Sequence, residues 1–157
     1  MTLASARAWL AAHAPDLPLI EVATSTATVA EAAAALGVAP ARIAKTLALR
    51  VGETALLVVV RGDARLDNAK TKREFGGRPR MLAPEETLAL TGHPVGGVCP
   101  FGLATPLPVY CDVSLQGHAT VYPAAGSLSS SVEVAPERLE ALVSLRWVDT
   151  TSFGSYR

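Results

Sequence analysis

Cysteine is scarce in this sequence: its 157 residues include two, Cys99 and Cys111. Two thiols this far apart in the chain are too few for a disulfide framework or a zinc cluster. We therefore expect both to be reduced. The three histidines are scattered and show no spacing typical of metal ligands, so the sequence predicts no metal site.

Long apolar runs are missing as well. The longest, residues 55–60, falls far short of the roughly 20 residues that span a bilayer, so we expect no membrane segment. The first residues lack a basic segment followed by an apolar run and a cleavage site. Nothing in the sequence therefore indicates secretion, and we expect a cytoplasmic protein.

Positive charge is absent from one long stretch and concentrated in another. Residues 81–129 contain no Lys or Arg, whereas seven of the chain's 14 basic residues lie between Arg61 and Arg80. The formal net charge of zero argues against a protein that coats nucleic acid, DNA included. The basic window is typical of a solvated helix face, but it would suit the phosphates of an RNA acceptor stem if it borders a cleft.

The remaining composition is that of a folded protein. Half of the residues are apolar and 18% are charged, and no linker, repeat or composition shift divides the chain. We therefore predict one domain over residues 1–157, with its core at about 29–143.

Local patterns predict short helices and strands in mixed order. A capping signal at Thr28 and a stop at Gly37 predict one helix, and a Gly52-Glu53 turn predicts a β-hairpin. The fold class expected is α+β, with a mixed, mainly antiparallel sheet flanked by short helices. Helices are predicted at residues 5–13, 29–36, 67–75, 84–90 and 136–145, and strands at residues 17–22, 45–51, 54–60, 80–82, 108–113, 119–122, 131–134 and 146–149.

Lys45 is the most informative single residue, because it interrupts an otherwise apolar strand. A lysine inside a cleft can hold a phosphate or polarise a carbonyl group. A lysine at the start of a strand can instead extend to water along its apolar stem. The sequence leaves both interpretations open.

A loop rich in glycine and proline, residues 91–108, is the second candidate. Its glycines allow close approach of the backbone, and Pro100 fixes a turn. The spacing is neither that of a nucleotide P-loop nor that of a dinucleotide-binding fingerprint. A site and an ordinary turn-rich loop are both compatible with the pattern.

Small residues around Ser129, Ser130 and Ser131 form the third candidate, which offers hydroxyl groups beside a predicted strand. No nucleophile elbow is present, and the histidines show no triad order, so a serine hydrolase is disfavoured. Cys99 lacks a basic sequence neighbour, which favours a small apolar filler over a nucleophile. Asp112 is interpreted as a strand-end cap, with an approach to the glycine loop left open.

Together these segments resemble the YbaK/ProX-type aminoacyl-tRNA editing family, which is similar to the editing domain of bacterial prolyl-tRNA synthetases. The likeness runs from about residue 29 to residue 143, and no single segment would suffice. It is carried by Lys45-Thr46-Leu47, by Gly62-Asp63-Ala64-Arg65-Leu66-Asp67, by Val95-Gly96-Gly97-Val98-Cys99-Pro100-Phe101-Gly102, and by Ala125-Gly126 leading to Val132-Glu133-Val134.

The resemblance implies a deacylase that hydrolyses the ester of mischarged aminoacyl-tRNA, on a tRNA-Pro-type or another small-amino-acid product. Lys45 would anchor a phosphate or the substrate near the ester, while Gly96 and Gly97 would position the carbonyl or the attacking water. No metal or organic cofactor would be needed, because an activated ester requires orientation and oxyanion stabilisation more than a strong nucleophile. The expected partners are the acceptor end of aminoacyl-tRNA and an aminoacyl-tRNA synthetase. The substrate-binding residues expected are Thr46, Val98, Pro100, Gly102, Gly126, Ser129, Ser130 and Ser131.

The chain departs from the family pattern near Ser129, where neither the aspartate of YbaK-like members nor the histidine of alanine-editing relatives is present. The hydroxyls there are compatible with serine, threonine or another small substrate. Two other functions remain open. One is a module of the same fold that binds tRNA or a synthetase without catalysis, and the other is a hydrolase that uses Cys99 or a serine.

Overall fold

The structure, a computed structural model, describes residues 2–153. No helix in this range is both long and apolar enough to cross a bilayer. The helices are α1 Thr2–His13, α2 Val29–Leu36, α3 Asn68–Phe75, α4 Pro84–Thr91 and α5 Pro136–Val143. The strands are β1 Ile20–Glu21, β2 Ile43–Val51, β3 Thr54–Arg61, β4 Arg65–Leu66, β5 Pro79–Met81, β6 Val109–Asp112, β7 Tyr122–Pro123, β8 Ser130–Ser131, β9 Trp147–Val148 and β10 Thr151–Ser152.

The main sheet is built around the long hairpin of β2 and β3. Its strand order is β5-β2-β3-β6-β9, and β7 pairs with the first residues of β2. Strands β5, β2 and β3 are antiparallel, whereas β6, β9 and β7 join in parallel. The predicted α+β fold with a mixed sheet is therefore confirmed.

Both faces of the sheet are covered, which explains why β3 is apolar at successive positions. Leu57 and Val59 face one cluster, to which α1 and α5 contribute Leu10 and Leu139. Val58 and neighbouring side chains face a second cluster, which includes Val60, Val148 and, from α3, the partly buried Phe75. A strand buried on both faces requires apolar residues at both parities.

Helix α2 begins and ends where the sequence predicts, but its N-terminal cap has one half of the expected capping box. Thr28 accepts a hydrogen bond of 3.1 Å from the Glu31 N–H, and Gly37 takes the left-handed conformation at φ 70°. The Glu31 carboxylate accepts instead from the Ser25 hydroxyl at 2.9 Å. The start of α2 is thereby tied to the segment that precedes it.

Several short strands differ from the prediction. The strand expected at residues 119–122 is reduced to β7 and a single bridge between Val121 and Val134. The strand expected at residues 131–134 is the two-residue β8, which pairs with β1. The pairing of β4 with β10 was not predicted at all. Such short pairs depend on contacts between distant segments, which local patterns do not contain.

Candidate functional site

A cavity of about 300 Å³ lies where the start of α2, strand β2 and the loop after α4 meet. Apolar side chains from these elements form much of its wall, and Met81 and Val95, which line it, are exposed. The cavity also collects residues from all three segments that the sequence singled out. Of the predicted site residues, those that line it are Lys45, Thr46, Gly96, Val98 and Ser131.

The other predicted residues in the glycine loop support its shape. Gly97 is buried against the backbone of Ser127, and its N–H donates to the Pro94 carbonyl at 2.9 Å. Gly102, at φ 63°, lies so close to the backbone of Ser5 in α1 that a side chain would not fit. Pro100 is buried and does not line the cavity. The loop therefore packs against the backbone of Ser127 on one side and against α1 on the other.

The serine segment, residues 126–131, contributes one lining residue and several internal contacts. The Ser130 hydroxyl is hydrogen-bonded to the Ser127 hydroxyl at 2.7 Å, and the Ser129 carbonyl accepts from the Val22 N–H at 3.0 Å. Gly126 is buried at φ 92° and does not line the cavity. Only Ser131, at the end of this segment, reaches the cavity wall.

Lys45 lies at the edge of the cavity with its ammonium group held in place. Its Nζ donates a hydrogen bond of 2.7 Å to the carbonyl oxygen of Ala64, in the turn that follows β3. Partial burial lowers the pKa of Lys45, an effect that the carboxylate of Asp63 opposes and the guanidinium of Arg65 reinforces. An ammonium with incomplete hydration interacts more strongly with an anion or a carbonyl oxygen than one in water.

Gly96 lets the glycine loop approach the start of α2. Its φ is 95°, and a Cβ atom there would lie 2.8 Å from Leu128 Cδ2 and 3.0 Å from Ala27 Cβ. A glycine is required on both grounds, because other residues rarely adopt this φ and no side chain would fit. The backbone of Gly96 consequently forms part of the cavity wall.

Sequence reasoning missed the contribution of the segment before α2. Thr26 lines the cavity, and its buried hydroxyl has no hydrogen-bond partner among residues 2–153, and the same is true of the hydroxyl of Thr46. The capping signal at Thr28 could have indicated this helix start, but nothing local shows that it borders β2. A buried hydroxyl without a partner costs about 1–3 kcal/mol, so these two threonines are functional candidates.

Tyr122 is a second lining residue that the sequence analysis did not select. The Arg42 guanidinium lies 5.2 Å from its ring centroid, and Arg42 also forms an ion pair of 3.5 Å with Glu133. Burial, followed by the charge of Glu133, raises the pKa of Tyr122. The phenol therefore stays protonated near neutral pH.

Cys99 has a histidine neighbour but not the environment of a nucleophile. Its Sγ lies 3.5 Å from Nε2 of His93 and 3.6 Å from the carbonyl oxygen of Phe101. The side chain is fully buried and lies outside the cavity lining. Burial raises the pKa of Cys99 to about 12 and lowers that of His93. A thiolate–imidazolium pair is thus disfavoured, and the structure gives no support to a hydrolase based on Cys99.

Asp112 has a structural role at the end of β6. Its buried carboxylate accepts from the Thr150 N–H and hydroxyl at 2.6 Å each, from the Thr151 hydroxyl at 2.7 Å and from the Ser114 N–H at 2.9 Å. These contacts join β6 to the turn before β10. Asp112 does not line the cavity, which favours the strand-end interpretation.

The basic window is partly neutralised. Arg61 forms an ion pair of 2.5 Å with Asp63, and Lys70 forms one of 3.2 Å with Asp149. The residues of the window that are exposed and form no ion pair within the described part of the chain are Arg65, Lys72, Arg73 and Arg78. Within residues 2–153 no group of three or more His, Cys, Asp or Glu side chains could hold a metal ion.

Comparison with known proteins assigns a family to the part of the chain that forms the cavity. The family model described as the aminoacyl-tRNA editing domain matches residues 23–142. This range includes every residue that lines the cavity.

The relatives fall into two groups. YwhH of Bacillus subtilis (strain 168), an uncharacterized protein, is 46% identical over 151 residues, which cover 95% of this chain and 96% of YwhH. The proline--tRNA ligase of Moorella thermoacetica is 41% identical over 100 residues, 62% of this chain but 17% of the ligase. A crystal structure described as that of a candidate trans-editing enzyme for prolyl tRNA synthetase is 35% identical, with a TM-score of 0.89 over 96% of this chain and 97% of that one.

Proposed function

The chain belongs to the aminoacyl-tRNA editing domain family, and we propose that it is a deacylase that hydrolyses the ester of mischarged aminoacyl-tRNA in trans. The observation that carries the proposal is the meeting of three distant segments at one cavity. Lys45, Gly96 and Ser131 come from different parts of the chain, and all three line it. The near-complete overlap with the candidate trans-editing enzyme supports action outside a synthetase.

In the proposed mechanism, binding and orientation supply most of the catalysis. The Lys45 ammonium stabilises negative charge, on a phosphate of the terminal nucleotide or on the oxyanion that forms as water attacks the ester carbonyl. Gly96 forms the wall against which the ester is oriented, and Gly97 packs that wall against the backbone of Ser127. The attacking water adds to the carbonyl carbon and loses a proton. The bond from that carbon to the ribose oxygen then breaks, and the ribose oxygen takes up a proton, which leaves the tRNA with a free hydroxyl and releases the amino acid.

Selection of the amino acid is proposed to depend on the cavity volume and on hydroxyl groups. The residues concerned are Thr46 and Ser131, both predicted from the sequence, together with Thr26. One methylene group in such a pocket is worth only about 1–3 kcal/mol, so recognition of the tRNA must add to the specificity. The similarity to proline--tRNA ligases supports a tRNA-Pro-type substrate that carries a small, incorrect amino acid.

The exposed basic residues of the window are proposed to contact the acceptor-stem phosphates. Arg65 borders Lys45 closely enough to affect its pKa, and Arg78 immediately precedes β5, whose Met81 lines the cavity. Binding through phosphates weakens steeply as salt rises, because counterions are released. A synthetase that holds the same tRNA is the second proposed partner, and the reaction is proposed to take place in the cytoplasm.

Release of free amino acid from a panel of charged tRNAs tests this function. Transcripts of tRNA-Pro and of the cognate tRNAs, charged with Ala, Cys, Ser, Thr or Pro, are incubated with the wild-type protein, and binding is measured in parallel. We expect rapid hydrolysis of one or two mischarged species and none of Pro-tRNA-Pro. Tight binding without hydrolysis of any species would instead establish the non-catalytic module.

A further inference from the structure

The ammonium group of Lys45 contacts a segment that lies outside the cavity lining. Its hydrogen-bond acceptor is the carbonyl oxygen of Ala64, 2.7 Å away, and Ala64 belongs to the turn of residues 62–64 between β3 and β4. Lys45 itself pairs with Val60 in the β2–β3 hairpin. The turn therefore folds back beside the same hairpin and meets the lysine near its charged end.

The turn is fixed in place on the side that faces β2. The Gly62 N–H donates to the Ile43 carbonyl at 2.7 Å. A Cβ atom at Gly62 would lie 2.5 Å from the Pro40 carbonyl oxygen and 2.9 Å from Val29 Cγ1, so the backbone fits here only without a side chain. The Ala64 side chain is buried, with 1% of its surface exposed. These contacts leave the Ala64 carbonyl little freedom to move.

The turn is also fixed on the opposite side. The Arg61 N–H donates to the Ser114 hydroxyl at 3.0 Å, and its guanidinium lies 4.2 Å from the ring centroid of Phe153. Immediately after the turn, β4 pairs with β10, and the Asp67 N–H donates to the Thr150 carbonyl at 2.8 Å. The turn is thus held between β2 and the C-terminal part of the described chain.

Two side chains of opposite charge lie near the ammonium, Asp63 in the turn and Arg65 immediately after it. The Asp63 carboxylate raises the pKa of Lys45 and the Arg65 guanidinium lowers it, after the larger lowering effect of burial. Asp63 is itself paired with Arg61 at 2.5 Å, which limits the negative charge that Lys45 experiences. Within the described part of the chain Lys45 forms no ion pair, and its ammonium keeps hydrogen-bonding capacity for a ligand.

We infer that the turn of residues 62–64 is a positioning element that holds the Lys45 ammonium at the edge of the cavity through the Ala64 carbonyl. Gly62 and Ala64 fix the place of the ammonium, and Asp63 and Arg65 balance its electrostatic surroundings. This inference rests on the proposed function, in which Lys45 acts on the substrate. A displacement of about 1 Å in such a group can reduce a rate about a hundredfold, so the turn controls activity without contacting the substrate.

Titration of the Lys45 side chain by NMR tests the electrostatic part of the inference, independently of any activity. The chain has three lysines, Lys45, Lys70 and Lys72, so the signal of Lys45 is assigned by its loss in Lys45→Arg. We expect a lower pKa of Lys45 in Asp63→Asn and a higher one in Arg65→Gln. Unchanged titration of Lys45 in both variants would overturn the inference.

Kinetics of Gly62→Ala test the positioning part. We expect kcat for deacylation to fall at least about tenfold with a smaller change in KM, because the displaced turn moves the ammonium, whereas the phosphate contacts proposed for Lys72, Arg73 and Arg78 lie outside the turn. The control is Gly77→Ala, at a glycine whose added Cβ would meet the side-chain methyl Cγ1 of Val51 at 3.0 Å and, apart from its chain neighbours, no backbone atom of residues 2–153 within 4 Å. Full activity in Gly62→Ala would overturn the inference. If Gly62→Ala does not fold, the NMR titration decides.

The two experiments separate this inference from the proposed function. In one outcome, the wild-type protein hydrolyses no aminoacyl-tRNA while the pKa of Lys45 still shifts in opposite directions in Asp63→Asn and Arg65→Gln. That result refutes the proposed function and supports the turn as the element that positions the ammonium. If the wild type is active, but the pKa of Lys45 is unchanged in the two charge variants and kcat is unchanged in Gly62→Ala, the inference alone is refuted.

Discussion

Gly97 lies directly against the backbone of Ser127, and a Cβ atom at Gly97 would come within 2.9 Å of both the carbonyl carbon and the carbonyl oxygen of Ser127. This contact joins the glycine loop to the serine segment, which lie about 30 residues apart in the sequence. Gly97 does not line the cavity, yet its neighbours Gly96 and Val98 do. The close approach therefore determines the shape of the wall.

Gly97→Ala is expected to lower the free energy of unfolding by about 1–3 kcal/mol, because the added methyl meets backbone atoms that have no rotamer to change. Deacylase activity should fall as well, since the wall at Gly96 is displaced. Chemical denaturation and initial rates measure the two effects, with Gly77→Ala as the control. Wild-type stability and activity in Gly97→Ala would contradict the role of this contact.

Thr46→Val should change stability and activity in opposite directions. The buried hydroxyl of Thr46 has no hydrogen-bond partner within the described residues. Its replacement by a methyl group of similar size should therefore leave stability unchanged or raise it by up to about 1 kcal/mol. If this hydroxyl binds the substrate, kcat/KM should fall about tenfold. Thermal denaturation and steady-state rates test the pair of effects. A stabilised variant with full activity would remove Thr46 from the site.

The two cysteines should be unreactive in the native protein. Burial raises the pKa of both Cys99 and Cys111 to about 12, so almost no thiolate is present at pH 8. We expect a small alkylating reagent to label neither residue until the protein unfolds, and Cys99→Ala to keep its deacylase activity. Rapid labelling at pH 8 together with loss of activity would revive a nucleophilic role for Cys99.

The same thiols predict a loss of stability at alkaline pH. In the unfolded chain they ionise near their ordinary pKa of 9.0, whereas in the folded protein they keep their protons up to about 12. Their contribution to stability is therefore complete below about pH 9 and is lost as the pH rises towards 12. Denaturation at several pH values should show this decline, and Cys99→Ala should reduce it. An equal decline in the variant would contradict the assignment.

Asp112→Ala should be among the most destabilising changes outside the core. It leaves the buried N–H of Thr150 and the half-buried N–H of Ser114 without their acceptor, which should cost about 3 kcal/mol or more. Asp16→Ala, which breaks an exposed ion pair with Arg138, is the control and should cost much less. Urea denaturation compares the two. Equal losses would show that the Asp112 network adds little.

Much of the fold could be predicted because its signals are local. The Gly52-Glu53 turn and the apolar strands on either side specify the β2–β3 hairpin, and Thr28 and Gly37 specify the ends of α2. The pairing of β4 with β10 had no such signal. Each of these strands has two residues, and their pairing joins segments about 85 residues apart.

The candidate site was predictable only in part, for the same reason. Lys45 and Gly96 stand out because a charge within an apolar strand and paired glycines are unusual in themselves. Thr26 and the Ala64 carbonyl have no such mark, since their positions become meaningful only when α2 and the turn pack against β2. Gly102, a substrate-binding candidate from the sequence, lies against α1, and this contact depends on the tertiary fold.

In the proposed reaction, the Lys45 ammonium acts on the ester of a mischarged aminoacyl-tRNA. Single-turnover deacylation by Lys45→Met measures this action. Methionine keeps most of the apolar stem of the side chain and removes its charge. Arg7→Ala, which breaks the exposed ion pair between Arg7 on α1 and Glu21 on β1, is the control for charge removal. We expect Lys45→Met to bind the tRNA but to hydrolyse it about a hundredfold more slowly, with Arg7→Ala unchanged. Hydrolysis by Lys45→Met at the wild-type rate would show that the Lys45 ammonium takes no part in the reaction.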